Sequence, residues 1–219
     1  MKLFTVAIGQ RYEREAQRLQ ASVSLPIEVF TKENSKYKEV NDDSLINGLW
    51  HKCNFANYLD SAEDGVIFMD ADMFTLSVNP FKDFTVSPDA DFAYVPYEGK
   101  WYYPDKIRQE AFNHHGHKIN SGFMYFRTLK IAKDICTHWQ HEYLERVKLY
   151  ESNTPNITKF EYDEYALMIA LMKLDYKVEL LDKKWNNWEL SHSTKEEILN
   201  SDSIFFQSHN HLDILENRI

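Results

Sequence analysis

The stretch VIFMDADMF, residues 66–74, decides the fold that we expect for this chain. Its first four residues are bulky and apolar, which is typical of a short strand buried on both faces of a sheet. Asp70 and Asp72 follow at once, at the carboxyl end of that strand, where α/β sheets open to ligands. Because two neighbouring carboxylates repel each other, the stretch predicts a central strand that delivers an acid pair to a cation-binding cleft.

The segments around this stretch alternate between strand and helix patterns. Before it, the sequence predicts strands at 3–8 and 27–30, a helix from Tyr12 and a helix over 44–62. After it, the sequence predicts strands at 91–96, 119–126, 176–181 and 204–207, and helices at about 128–150, 161–174 and 194–200. This order predicts one α/β domain over residues 1–219, with a Rossmann-like, mainly parallel central sheet flanked by helices.

The composition limits the partners that we expect. The chain has 34 acidic and 25 basic residues and a formal net charge of -9, which disfavours nucleic acid or an anionic membrane as the main partner. No apolar run approaches the length of a membrane span. Cys53 and Cys136 lie in helix-like segments without a metal-ligand spacing, so we expect reduced core thiols in a cytoplasmic protein.

The acid pair has a plain and a functional interpretation. Asp is common where strands end, so the pair could be only a solvated turn. The buried strand before it favours a cleft, in which carboxylates bind Mg²⁺ or Mn²⁺ together with substrate phosphates. A haloacid-dehalogenase-like phosphatase and an enzyme that transfers sugar from a nucleotide diphosphate would both use such a site. The phosphatase motif has Thr at its fifth position, where this chain has Phe74.

Four segments, in order, resemble the glycogenin-like enzymes of glycosyltransferase family 8. VIFMDADMF is similar to their Asp-x-Asp motif, and TVAIGQRY at 5–12 is similar to their first strand and turn. INSGFMYFRTLK at 119–130 resembles their Asn-Ser/Ala-Gly segment, and EYDEYAL at 161–167 resembles their Asp-Gln segment. The resemblance implies a GT-A fold with a smaller acceptor-side β region. It also implies sugar transfer from a nucleotide diphosphate, with a UDP-sugar expected as donor, to a saccharide or glycoconjugate acceptor, with retention of anomeric configuration.

The resemblance also implies roles for individual residues. The metal, Mn²⁺ or Mg²⁺, would be bound by Asp70, Asp72 and either His209 or His211, with His209 favoured because it lies nearer the last predicted strand. The nucleotide side of the site would include Ala7, Gly9, Tyr12, Lys52 and Ala71, with Tyr12 against the base. The donor sugar would be lined by Asn120, Ser121 and Gly122, and Asp163 would hydrogen-bond its hydroxyl groups.

The chain departs from the family pattern at two places. The terminal motif that supplies a diphosphate-binding lysine is absent, and Lys184 in KKWNNW is the substitute that we consider. Glu164 stands where Gln is usual. Its carboxylate is either the nucleophile of a double displacement or a hydrogen-bond acceptor for the sugar.

Other interpretations stay open at this point. Lys52 could be an ordinary solvated lysine on an amphipathic helix, and Asp163 could only favour its helix dipole. A sugar-phosphate nucleotidylyltransferase would need a Gly-rich basic loop after the first strand, of which GQRYERE is a poor version. A binding module without turnover is the third candidate. The aromatic stretch 97–118 is weakly periodic, so we expect a long loop there, with Trp101 over the acceptor.

Overall fold

Strands and helices alternate along the computed structural model, which describes residues 1–33, 39–40, 42–62, 64–77, 79–97, 106–153 and 162–207. The strands are β1 (Lys2–Val6), β2 (Ile27–Phe30), β3 (Val66–Met69), β4 (Met73–Thr75), β5 (Phe92–Tyr97), β6 (Lys118–Phe126), β7 (Val178–Leu180) and β8 (Phe205–Gln207). The α-helices are α1 (Gln10–Ser22), α2 (Ser44–Cys53), α3 (Lys106–His115), α4 (Leu129–Glu151), α5 (Tyr162–Met172) and α6 (Lys195–Asn200). Short 3₁₀ helices lie at Phe55–Tyr58, Lys183–Trp185 and Trp188–His192.

The central sheet has six strands in the order β2-β1-β3-β6-β5-β7. Five of them share one direction, and β6 runs antiparallel to both of its neighbours, β3 and β5. A second, two-stranded sheet pairs β4 with β8. The predicted mainly parallel sheet is therefore confirmed, and a smaller β region is present beside it.

Both faces of the central sheet are covered, as the apolar run before the acid pair predicts. All four residues of β3 are buried. Val66 and Phe68 belong to a core that includes Trp139 of α4 and residues of α2 and α5. Ile67 and Met69 belong to a second core, with residues of α1 and β8. A strand buried on both faces has no polar side, which explains why its sequence does not alternate.

The helices begin at residues whose side chains satisfy free backbone N–H groups. Asp43 accepts from the N–H groups of Leu45 and Ile46 at the start of α2. Thr128 accepts from Ile131 at the start of α4, as the sequence predicted. These caps fix where each helix begins, and α2 carries Lys52 toward the carboxyl edge of the sheet.

Several predicted elements differ from the structure. The stretch 97–118 contains helix α3, which the sequence did not predict because the helix has a small apolar face and therefore a weak periodic pattern. Trp101 lies outside the described residues. The predicted helix over 44–62 is interrupted at Asn54 and continues as a 3₁₀ turn. Strand β4 was not predicted, because its three residues follow the acids without a turn signal. The sequence also predicts that Tyr150 belongs to the buried stripe of α4, but Tyr150 is 37% exposed. No helix in the described ranges is long and apolar enough to span a membrane.

Gly65 and Gly116 provide a test of the turn that leads into β3. Both have positive φ, 87° and 76°, but a Cβ on Gly65 would lie 3.0 Å from the carbonyl oxygen of Phe126, whereas a Cβ on Gly116 meets nothing within 4 Å. We expect Gly116→Ala to lower the free energy of unfolding by about 1–2 kcal/mol through backbone strain alone. Gly65→Ala should cost about 1–3 kcal/mol more, because the backbone must also shift. Urea denaturation of both variants measures the difference, and equal losses would contradict it.

Candidate functional site

A cleft of about 620 Å³ opens at the carboxyl ends of β1 and β3. It is lined by the end of β1, by Tyr12, by residues of α2 and by Asp70, Ala71 and Asp72. Half-buried Leu45 and Leu49 of α2 contribute apolar surface to this lining. The mixture of apolar and polar lining is typical of small-molecule sites.

Carboxylate groups at the polar edge of the cleft surround the ammonium group of Lys52. Its ammonium lies 2.7 Å from Oδ1 of Asp70, 3.0 Å from Oδ2 of Asp70 and 2.9 Å from Oδ2 of Asp163. Burial lowers the pKa of Lys52, but the two carboxylates outweigh it and raise the pKa above its ordinary value. The lysine is therefore charged, and part of the cation that the acid pair requires comes from the protein itself.

The carboxylates around Lys52 respond differently to their surroundings. Burial raises the pKa of Asp70 to about 7, with Lys52 opposing the shift and Asp72 adding to it. Burial also acts to raise the pKa of Asp163, but Lys52 and a hydrogen bond from Ser121 hold it below its ordinary value. Asp163 is thus fixed as a carboxylate, whereas the charge of Asp70 depends on what else enters the cleft.

A bulge in β6 brings the predicted sugar-lining residues to this edge. Tyr94 of β5 pairs with Met124, and the next residue, Val95, pairs with Asn120, so residues 121–123 lie between two consecutive residues of β5. Such a bulge redirects the side chains of the longer strand. Ser121 Oγ donates to Asp163 Oδ2 at 3.1 Å, which joins the bulge to the start of α5.

Gly122 sits where no side chain fits. A Cβ there would lie 2.5 Å from Asn186 Nδ2 and 3.1 Å from both Asn120 Oδ1 and Asp70 Oδ2. The backbone N–H of Asp70 donates to the carbonyl oxygen of Gly122 at 2.8 Å. The acid pair and the bulge are therefore packed against each other with no spare volume.

Glu164 lies in a separate charged cluster beside the bulge. Lys118 forms an ion pair with Glu164 at 2.8 Å, and its ammonium lies 4.9 Å from the ring centre of Tyr97 and 5.4 Å from that of Tyr165. Burial raises the pKa of Glu164, and Lys118 opposes the shift. Tyr97 hydrogen-bonds Glu164, and burial raises the pKa of Tyr97, with Glu164 adding to the shift. The sequence interpretation missed Lys118 and Tyr97, which are paired residues on β5 and β6.

Asn186 is another residue that the sequence interpretation missed. It follows the 3₁₀ helix Lys183–Trp185, is fully buried, and donates through Nδ2 to Asn120 Oδ1 at 2.6 Å. It also lines a second groove, together with Pro96, Lys183, Asn187, Trp188 and Glu189. The available signal was the pair of amides in KKWNNW, a segment in which the sequence interpretation considered only Lys184.

Several predicted site residues lie away from the cleft or outside the described chain. Ala7 is fully buried in a small cluster with Ala16 and Ala71, behind the cleft wall. Gly9 precedes α1 with φ 96° and is exposed. Lys184 is half-buried and lines neither cleft nor groove. His209 and His211 lie outside the described residues, so the predicted third metal ligand stays a prediction.

The described residues contain no group of three His, Cys, Asp or Glu side chains that could hold a metal ion. Asp70 and Asp72 provide two carboxylates at the cleft, and these oxygen donors suit a hard divalent cation. His115 and His117 are engaged elsewhere, with the carbonyl oxygen of Met168 at 2.9 Å and with the hydroxyl of Tyr94 at 2.6 Å. The acid pair therefore fits the predicted metal by its chemistry.

Known proteins resemble this chain in family and in fold. A family model described as nucleotide-diphospho-sugar transferase matches residues 13–207. A sequence search of curated proteins finds no match. Among solved structures, the chain is similar to a glycosyltransferase involved in the glycosylation of the major capsid of PBCV-1, with 11% identity, a TM-score of 0.53, and coverage of 99% of this chain and 98% of that chain.

The chain is also similar to LgtC, at a comparably low identity. An active-site mutant of LgtC matches with 11% identity, a TM-score of 0.52, and coverage of 94% of this chain and 86% of that chain. The galactosyltransferase LgtC in complex with donor and acceptor sugar analogs matches with 13% identity, a TM-score of 0.50, and the same coverage. The predicted GT-A fold is confirmed, and so is the prediction of a glycosyltransferase.

The charge arrangement around Lys52 predicts an unusual stability pattern. Lys52→Met leaves two carboxylates buried without their cation, so we expect the free energy of unfolding to fall by about 3–5 kcal/mol. The double variant Lys52→Met/Asp163→Asn should recover part of this loss, because it removes one of the two carboxylates left without a counter-charge. Urea denaturation at neutral pH measures both effects.

The matched control for Lys52→Met is Lys148→Met. Lys148 is 68% exposed and lies 2.6 Å from Glu145, so its removal should cost less than about 1 kcal/mol. A Lys52→Met variant as stable as Lys148→Met, or a double variant less stable than Lys52→Met alone, would contradict this account of the site.

Proposed function

Because the chain belongs to the nucleotide-diphospho-sugar transferase family, we propose that it moves a hexose or pentose from a UDP-sugar to a saccharide or glycoconjugate acceptor, with a divalent metal and with retention. The observation that carries this proposal is the convergence of two distant segments on one ammonium group, with a third segment joined to them through Asp163. Lys52 contacts Asp70 and Asp163, and Ser121 donates to Asp163. These are the segments whose sequences resemble a metal site and a donor-sugar pocket.

We assign the nucleotide to the cleft. The ring of Tyr12 and the side chains of Leu45 and Leu49 offer apolar surface to a base, and Asp70 and Asp72 line the same cleft. Uracil as the base rests on the resemblance to the glycogenin-like enzymes. The apolar surface favours a planar base without selecting one.

Asp70 and Asp72 are the residues that would hold Mn²⁺ or Mg²⁺, with His209 or His211 proposed as a further ligand. When bound, such an ion supplies positive charge that stabilises the departing diphosphate. Lys52 keeps Asp70 in position through both carboxylate oxygens. Because Lys52 is buried and paired, we assign it to holding the acids rather than to contacting the phosphates.

We assign the transferred sugar to the edge of the cleft where the β6 bulge meets the start of α5. Asn120, Ser121 and Gly122 would line it, and Asp163, an ionised carboxylate, would accept from its hydroxyl groups. The carboxylate of Glu164 is engaged by Lys118 and by Tyr97, which weakens it as a nucleophile. We therefore assign Glu164 to stabilising positive charge that develops on the sugar, in preference to attack on the anomeric carbon.

We assign the acceptor to the second groove. Trp188 lines it, and the ring of Trp188 packs edge-on against Tyr97 with centroids 5.3 Å apart. Aromatic rings stack on the apolar faces of sugars, and Asn187 and Glu189 add hydrogen-bonding groups. Asn186 borders both this groove and the bulge, so an acceptor in the groove would lie next to the donor sugar.

A donor screen tests the proposed function. We expect UDP-glucose, UDP-galactose or UDP-xylose to raise the melting temperature by several degrees with Mn²⁺ and to be slowly hydrolysed, since a bound ligand stabilises the folded state. Asp72→Asn should lose the Mn²⁺-dependent part of both effects. Thermal shift and release of UDP are the measurements, and Asp83→Asn, an exposed acid away from the cleft, is the control.

Other outcomes of this screen would overturn the proposal. Phosphate release from simple phosphomonoesters, without a shift by any sugar nucleotide, would favour the phosphatase. Formation of a sugar nucleotide from a sugar phosphate and UTP would favour the nucleotidylyltransferase. Binding of a sugar nucleotide without hydrolysis or transfer to any saccharide would favour a module without turnover.

Substitution of Glu164 distinguishes between its two possible roles, stabilisation of charge on the sugar and nucleophilic attack on the anomeric carbon. If it only stabilises charge, Glu164→Gln keeps the side-chain shape and should lower kcat about 10- to 100-fold without abolishing turnover. The measurement is the rate of UDP release at saturating donor, with the anomeric configuration of the product followed by NMR. A loss of more than about 10⁴-fold with unchanged donor affinity would instead favour the nucleophile.

A further inference from the structure

Asn186 takes part in a hydrogen-bond network whose orientation can be worked out. The backbone N–H of Gly122 donates to Asn120 Oδ1 at 2.9 Å, and an N–H group can only donate. Asn120 must therefore present its oxygen there, and that same oxygen accepts from Asn186 at 2.6 Å. Asn186 must in turn present its NH₂ group. The position of one backbone N–H thus fixes the orientation of both amides.

This orientation leaves one polar atom of each amide without a protein partner. Asn120 Nδ2, a donor, and Asn186 Oδ1, an acceptor, are buried and make no hydrogen bond within the described part of the chain. Rotating the Asn120 amide by 180° would break its bonds with Gly122 and Asn186, and rotating the Asn186 amide would break its bond with Asn120. Buried polar atoms of this kind are rare in folded proteins unless something else satisfies them. An N–H donor such as Asn120 Nδ2 suits the oxygen of a sugar hydroxyl.

The two amides lie where the proposed donor sugar and acceptor meet. Asn186 Nδ2 lies 2.5 Å from the position that a Cβ on Gly122 would occupy, and Asp70 Oδ2 lies 3.1 Å from the same point. Asn186 also lines the groove that contains Trp188. A residue in this position is bordered by the acid pair, the sugar-lining bulge and the groove.

We propose that Asn186 is a positioning residue for the transferred sugar, acting through Asn120. Its amide holds Asn120 in the orientation that directs an N–H donor at a sugar hydroxyl. This inference rests on the proposed function, because it concerns the sugar of the nucleotide donor. It separates recognition of the sugar, which needs Asn186, from recognition of the nucleotide, which does not.

The test compares UDP binding with sugar turnover in Asn186→Ala and Asn186→Asp. Isothermal titration with UDP and Mn²⁺ should give affinities within twofold of the wild type. Hydrolysis of the UDP-sugar that the wild type uses, chosen from UDP-glucose, UDP-galactose and UDP-xylose, should show kcat at least tenfold lower. Asn186→Asp places an acceptor against Asn120 Oδ1, so it should be at least as impaired as Asn186→Ala.

A double-mutant cycle tests whether Asn186 acts through Asn120. Asn120→Ala combined with Asn186→Ala should be no more than about twofold slower than Asn120→Ala alone, because the second amide then has nothing to hold. Losses that multiply would overturn the inference. Gln20→Ala is the control, since Gln20 also bonds through its amide to a backbone N–H, that of Ile27, at a distance from the cleft. It should leave UDP affinity and kcat unchanged.

A variant that does not alter residue 186 guards against misfolding of the Asn186 variants. Gly122→Ala should displace the Asn186 amide, which lies 2.5 Å from the added Cβ, and reproduce the loss of kcat. Wild-type kcat in the Asn186 variants, or an equal loss of UDP affinity and kcat, would overturn this inference alone. A wild-type protein that turns over no sugar nucleotide would overturn the proposed function, and this inference with it.

Discussion

The ammonium of Lys52 is the interaction on which the site depends. It contacts Asp70, at the end of β3, and Asp163, at the start of α5, and through them it joins the acid pair to the sugar-lining bulge. Lys52 is only 8% exposed, so the ion pairs form where water screens charge weakly. Each of the three charges would be costly to bury alone, and together they define one geometry.

The rigid frame around this charge cluster comes from the central sheet. Because β3 is buried on both faces, its end cannot move without disturbing two cores at once. Helix α4 adds a second constraint, since Trp139 Nε1 donates to the carbonyl oxygen of Asp163 at 2.6 Å. The backbone that carries the two carboxylates is therefore held by core packing, and the carboxylates themselves are held by the ion pairs with Lys52. A site assembled in this way is preorganised for a ligand before the ligand binds.

Local patterns in the sequence predicted what depends on neighbouring residues. The run before Asp70 predicted a buried strand, and Thr128 predicted the start of α4, because burial and capping are decided within a few residues. Contacts between distant residues were beyond this reasoning. Asn186 meets Asn120 across 66 positions, and nothing near either residue indicates the other. The same holds for Lys118, because nothing in its neighbouring sequence indicates the ion pair that it forms with Glu164 in the fold.

One reversed strand explains how these distant residues come together. In a sheet whose strands all run one way, only strand ends reach the carboxyl edge, and strand beginnings lie at the opposite edge. Because β6 is antiparallel to β3 and β5, its beginning lies at the edge where they end. Asn120 therefore lies beside Asp70, and Lys118 pairs with Tyr97. A bulge after Asn120 then redirects Ser121 toward Asp163. The direction of a single strand thus determines which residues can meet at the cleft. An all-parallel sheet would place the first residues of β6 at the opposite edge, away from the acid pair.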